Sequence, residues 1–215
     1  MPNTDPAAKA WQEKRSGAFG RAVASRRNTL KLTASQLAGR TKLFGYPITR
    51  STIARIEGNH RAGKIDLAEV VTLAMALETS PIQLLFPDLV DGFVEVLPNH
   101  PMTSVHAMEW FAGMGEPYPL ELWTSLAEAG ASEQDLEKVG KLNDAWFSGV
   151  AAVRHARRIS SLRDFQRSLT HHPTTVDHPD IKVIVETANQ LADAEDEARQ
   201  YGLIVNDPTE VDDDG

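Results

Sequence analysis

The chain of 215 residues contains no cysteine. That absence removes disulfides, thiolate nucleophiles and cysteine-ligated zinc together. Long apolar runs are missing too: none approaches the ~18 residues that a membrane span needs, so no membrane partner is expected. The opening Met1-Pro-Asn-Thr-Asp-Pro6 lacks the basic-then-apolar order of a secretory leader. An absence of cysteine suits a reducing cytoplasm and is also compatible with export; a cytoplasmic protein is the expectation. Neither a glycine-rich phosphate loop nor a Ser/His/Asp arrangement occurs, so no catalytic residue and no cofactor is expected. What is present is ordinary for a folded chain: 41% hydrophobic and 24% charged residues exclude a disordered polymer.

The net charge of −8 hides a division. Residues 1–88 hold 13 Lys+Arg against 7 Asp+Glu, a net +6, whereas residues 89–215 hold 9 against 23, a net −14. Only the first part has the positive field that nucleic acid requires.

Helical signals dominate, and the fold class read from them is mainly α. A first helix begins between Pro6 and Trp11 and ends near Arg27. Thr33 followed by Gln36 reads as a capping box for a second. Thr49 caps a third, Arg50 to Glu57, stopping at Gly58. Asp66 with Glu69 opens a fourth carrying Leu67, Val70, Val71, Ala74 and Leu77 at helical spacing. Ser80-Pro81 starts a short fifth. These five helices define a domain over residues 1–88.

A helical, acidic second domain is expected over 89–205, with one or two short strands and a disordered acidic tail over 206–215. Phe93–Leu97 alternates like a strand, and Leu203–Val205 is its expected partner. Amphipathic segments follow at Ser104–Ala112, Leu120–Ala129, Ser132 to about Arg158, and Asp180 to about Tyr201, with Leu162–Leu169 continuing the third of them or standing apart. A stripe through Leu136, Val139, Leu142, Trp146, Val150 and Val153 calls for burial.

The third helix carries the functional reading. Ile53 and Ile56 hold its inner side, while Thr49, Arg50, Ser51, Thr52 and Arg55 leave a polar N-terminal end. Arginine there suits a bidentate contact to guanine. The stretch from Leu37-Ala38 to Thr49-Arg-Ser-Thr-Ile-Ala-Arg-Ile-Glu57-Gly58 resembles the Cro/C1-type helix-turn-helix family, also called the xenobiotic-response-element family. The continuation from Asp66 through Leu77 to Pro81-Ile-Gln-Leu-Leu-Phe-Pro87 is similar to versions found in actinobacteria and their phages. The resemblance covers about a third of the chain. It implies a five-helix lambda-repressor-like domain binding double-stranded DNA, with base-reading residues at Arg50, Ser51 and Arg55. It also implies a structural ion pair between Arg27 and Glu57, and a homodimer on palindromic half-sites.

Two features depart from the family. Its phosphate-contacting glutamine falls on Ala34, leaving Thr33 or Ser35 to supply that contact. Ten residues also separate Ala38 from Thr49, a longer connection than in lambdoid repressors. Either the second helix extends or the turn lengthens, and Lys42 and Tyr46 then lie near the DNA backbone. Further backbone contacts are expected from Thr49, Thr52, Arg61 and Lys64.

Other features have plainer readings. Arg154, Arg157 and Arg158, with Arg163 and Arg167, form a basic cluster in the acidic half. A second DNA contact, with a monomer touching DNA through both halves, is weighed against pairing with the acidic residues Glu195–Glu197. His171, His172 and His178 match no metal-ligand spacing, so no metal is expected. Trp110-Phe111 and Trp146-Phe147 read as core residues. The Ser–Lys self-cleaving domain of some repressors is β-rich, unlike residues 89–215. The sequence therefore points to a transcriptional repressor of phage or prophage type. An antitoxin-like or ligand-sensing regulator, whose C-terminal half binds a protein or small molecule, is the alternative.

Overall fold

The computed structural model describes residues 5–98, 100–116, 127–128, 130–170 and 181–205. The described residues are mainly helical, with one two-stranded antiparallel sheet among them. They form two compact units, Met1–Gly115 and Glu116–Gly215.

The first unit runs α1 (Pro6–Thr29), α2 (Ala34–Leu43), α3 (Arg50–Glu57), α4 (Leu67–Ala76), α5 (Pro81–Leu85), β1 (Phe93–Leu97), β2 (His100–Thr103) and α6 (Ser104–Phe111). Each helix start is written locally. A side-chain oxygen of Asp5, Thr33, Thr49, Asp66, Ser80 or Thr103 accepts a backbone N–H that has no intrahelical acceptor. Thr33 and Gln36 close the expected capping box in both directions. The end of α3 departs from expectation. Gly58 keeps an ordinary φ of −82°, and the left-handed residue is Asn59, at +55°.

Phe19 and Val23 of α1, Leu37 of α2, Ile53 and Ile56 of α3, Val70, Leu73 and Leu77 on and after α4, and Leu84 of α5 form one buried cluster. The carbonyls at the C-terminal end of α4, left without intrahelical donors, are satisfied by arginines. Arg26 donates to Leu77 O and Glu78 O, and Arg40 donates to Ala76 O and to the Glu78 carboxylate.

The strand pairing expected for Phe93–Leu97 is corrected. β1 pairs antiparallel with β2, with Val94 opposite Met102 and Glu95 opposite Pro101, and with an irregularity between Glu95 and Leu97. Leu203–Val205 is not a strand; Leu203 and Val205 instead pack beside Ile159, Ala194 and Ala198 in the second unit. The first compact unit also extends past the expected limit at residue 88, because the hairpin and α6 bury their apolar side against α5. Phe86, Val96, Met102 and Ala107 form a second cluster, with Ile82 and Leu85 packed on it. Trp11 Nε1 donates to Glu95 O (2.9 Å), and Lys14 pairs with the Glu95 carboxylate (2.8 Å), tying β1 to α1.

The second unit contains α7 (Glu133–Gly149), α8 (Ala151–Thr170) and α9 (Ile181–Gln200). The helix expected to run from Ser132 to Arg158 breaks at Gly149-Val150, where glycine weakens a helix interior by about 1 kcal/mol. The segment around Leu162–Leu169 instead belongs to α8. The expected apolar stripe is divided by that break: Val150 is buried while Leu142 and Val153 are exposed. α8 and α9 meet through Ile159, Ala194 and Ala198. Most of the segment Leu120–Ala129, the histidines at 171, 172 and 178, and the acidic tail lie outside the described residues.

Phe86 is 2% exposed, so Phe86→Ala should lower unfolding free energy by about 3–5 kcal/mol, as read by denaturant titration. Val96→Ala should give a smaller loss in the same transition. A first-unit transition insensitive to Val96→Ala would show that the hairpin adds nothing to that core.

Candidate nucleic-acid interface

The site is built on α3. Ile53 and Ile56 are buried, which leaves Ser51, Ala54, Arg55 and Gly58 on one outward face and Arg50 exposed at its first turn. The N-cap Thr49 accepts from Thr52 N (3.1 Å), and its hydroxyl lies 2.9 Å from Ser51 Oγ and 3.0 Å from Thr52 Oγ1. The three residues predicted to read bases are thus brought together on one short helix. Ala54, between Ser51 and Arg55, went unremarked in the sequence because alanine carries no chemical signal. On this face its methyl suits apolar contact with a thymine methyl.

Three contacts fix the orientation of α3. First, Arg27 grips Glu57 with both arms, Nε to Oε1 at 2.6 Å and Nη2 to Oε2 at 2.9 Å, while its Nη1 donates to Leu32 O at 2.8 Å. One guanidinium therefore joins α1, α3 and the segment leading into α2. The two side chains are 16% and 15% exposed, a partly desolvated site in which a charge-assisted pair counts for more than at the surface. The hydrogen bond to Glu57 raises the Arg27 pKa above its ordinary value. Second, Gly20 lies directly under the Ile56 carbonyl, where any Cβ would collide with the oxygen. Third, Asn59 Oδ1 accepts from Ser16 Oγ (2.6 Å), and its Nδ2 donates to Glu13 O (3.0 Å). The ion pair is the one of these contacts that the family resemblance implies; the contacts of Gly20, Ser16 and Asn59 also join positions far apart in the chain and carry no local sequence signal.

The extra length between α2 and α3 is divided between helix and turn. α2 continues to Leu43, and residues 44–49 form the turn, with Gly45 at a φ of +78°. The buried Thr41 hydroxyl closes it by accepting from Ile48 N at 3.0 Å. Lys42 and Tyr46 are exposed along this connection.

The expected backbone contacts separate into three groups. Ser35, Lys42 and Lys64 are exposed. The hydroxyls of Thr33 and Thr49 cap α2 and α3 yet both residues remain exposed, and the Thr52 hydroxyl lies 3.0 Å from that of Thr49. The Arg61 guanidinium is paired with the buried Glu69 carboxylate, which would be costly to leave without a partner. That pair ties the loop after α3 to α4.

In the second unit, Arg158 pairs with Glu197 (3.1 Å) and Arg163 with Glu195 (2.6 Å), while Arg154 lies over the Phe147 ring, 5.1 Å from its centroid. Two of the five arginines, Arg158 and Arg163, are thus engaged with acidic residues of α9, and Arg167 pairs with Asp164 on its own helix. Arg157 is exposed on α8. No group of His, Asp or Glu among the described residues has the geometry to hold a metal ion. No described helix is long and apolar enough to cross a membrane.

Comparison with protein-family models, with curated proteins and with solved structures found no match to this chain.

Removing one partner of the α1–α3 pair leaves a partly buried charge unmatched. Arg27→Ala should therefore destabilise the first unit by about 2 kcal/mol. Gly20→Ala should do so by about 1–3 kcal/mol through forced separation of α1 and α3. Thermal unfolding followed by circular dichroism checks both, and an unchanged melting temperature for Gly20→Ala would contradict the close approach.

Proposed function

We propose that the chain is a sequence-specific, double-stranded-DNA-binding transcriptional repressor of phage or prophage type, in which α3 enters the major groove. The observation that carries the reading is the outward face of α3. Arg50, Ser51 and Arg55 are exposed together on a helix whose opposite side is anchored by Ile53, Ile56 and the Arg27–Glu57 pair. A base-reading helix needs this combination, because a bidentate contact to guanine depends on holding the donor fork in a fixed place.

In this reading, the five helices α1–α5 form a lambda-repressor-like domain with α2 and α3 as its helix-turn-helix. The exposed Ser35, Lys42 and Lys64, with the hydroxyls of Thr33 and Thr49, contact phosphates and set the register. The +6 charge of residues 1–88 draws the domain to DNA. Two copies bind half-sites about 34 Å apart, one helical turn, and occlude the promoter beneath them.

Selection of bound sequences from random duplexes tests the assignment. Arg50→Ala and Arg55→Ala should each relax preference at one or two base pairs, with a loss of about 1–3 kcal/mol of discrimination at those positions. Lys64→Ala should instead weaken binding to all sequences and reduce the salt slope by about 0.9. Retention of the full base preference by both arginine variants would reject α3 as the reading helix.

A further inference from the structure

The second unit holds a recess whose charge is opposite to that of its surroundings. Residues 89–215 carry 9 Lys+Arg against 23 Asp+Glu, and the ion pairs follow from that excess of acid. Lys138, Lys141, Arg158, Arg163, Arg167 and Arg199 each reach a carboxylate. Arg154 is different. Among the described residues it has no carboxylate partner, and its guanidinium lies over the Phe147 ring instead, 5.1 Å from the centroid. Stacking of this kind engages the face of a guanidinium and leaves the N–H donors at its edge uncommitted.

Arg154 lines a depression of about 410 Å³ together with Phe147, Ala151, His155 and Arg158. The lining follows from helical spacing: Ala151, Arg154, His155 and Arg158 share one face of α8, and Phe147 precedes them on α7. Arg154 and Arg158, four residues apart, are like charges on adjacent turns, an arrangement that disfavours a helix. Glu197 offsets it from one side only. Its carboxylate meets Arg158 at 3.1 Å and lies 3.8 Å from His155 Nδ1, whose ring packs on Tyr201 with centroids 4.6 Å apart.

We infer that this recess binds a small organic anion, its oxyanion head held by Arg154 and Arg158 and its apolar body set against Phe147 and Ala151. A carboxylate or a phosphate monoester presents paired oxygens, which the edge of a guanidinium binds in bidentate fashion. The volume suits a compact molecule, since ligand sites of roughly 300–1,000 Å³ bury most of what they hold.

A DNA backbone is the poorer occupant. The neighbouring helices expose Asp144 on α7 and Asp196 and Glu197 on α9, so an extended polyanion would bring further phosphates against carboxylates. A single small anion meets the arginines without that cost. The site lies within the second unit and stands or fails separately from the reading of α3.

Isothermal titration calorimetry of the full chain at low salt, with phenyl phosphate, benzoate and inorganic phosphate as probes, tests the inference. Phenyl phosphate or benzoate should bind saturably at one site per chain, and the tighter of the two identifies the head group. The aromatic probe should bind about tenfold more tightly than inorganic phosphate, and Phe147→Leu should remove most of that advantage. Arg154→Gln, at an exposed position, should weaken binding about tenfold or more with the circular dichroism spectrum unchanged. Arg167→Gln, on the same helix but outside the recess, should leave it intact. Absence of saturable binding by both aromatic probes overturns the inference, as does equal affinity for inorganic phosphate. Binding that survives Arg154→Gln, or that falls equally in Arg167→Gln, overturns it too. If Arg154→Gln instead weakens binding to random duplex DNA by as large a factor, the cluster is a DNA contact and the small-anion site is rejected.

Discussion

The arrangement of the first unit depends on how closely α3 can approach α1. A helix of eight residues is too short to be stable alone, so its position must come from what it packs against. Ile53 and Ile56 supply the apolar part of that seat. Gly20 permits it, because only a residue without a side chain fits beneath the Ile56 carbonyl. The Arg27–Glu57 pair and the Asn59 side chain then fix rotation and tilt from the far end of α3. Apolar burial alone would tolerate some sliding, whereas a bidentate guanidinium pair is directional. The polar outer face is thereby presented in one orientation, with little freedom left to lose when something binds it.

Helix starts were legible because a cap is a local device. Thr33, Thr49, Asp66 and Ser80 each act on a backbone N–H two or three positions ahead, so residue identity and spacing suffice. The bounds of α3 follow for the same reason. The strand partner was not legible, since pairing is non-local and His100-Pro-Met-Thr103 carries a proline that argues against a strand. The structure tolerates Pro101 because both strands of a two-stranded sheet are edges, where a missing donor need not break a ladder. Pairing between neighbouring segments also closes a short loop, which costs less entropy than bringing Leu203 across the chain.

The same distinction explains the domain limit. Phe86-Pro87-Asp88 reads as a stop, and it does end α5. A stop for one helix is not a boundary for the core. Phe86 turns away from the Leu73–Leu84 cluster into the one formed by Val96, Met102 and Ala107. Arg15 reaches the same junction, lying over the Phe86 ring at 5.0 Å and donating to Leu85 O, with burial lowering its pKa. No pattern within residues 82–88 announces that the chain comes back to cover this side chain.

The charge count of residues 1–88 was a correct sum but an imperfect map. Arg26 and Arg40 are engaged with the end of α4, Arg27 with Glu57, Arg61 with Glu69 and Arg15 with α5. These guanidiniums hold helices together, work for which a planar fork with five donors is better suited than a lysine ammonium. Their charge still contributes to the long-range field, which does not depend on contact. Each, however, has donors engaged by the protein itself. Arg50 and Arg55 differ because α3 turns them outward, with Ala54 and Ser51 too small to obstruct them. The sequence could identify the arginines, but only packing separates those that build the scaffold from those left to face a ligand.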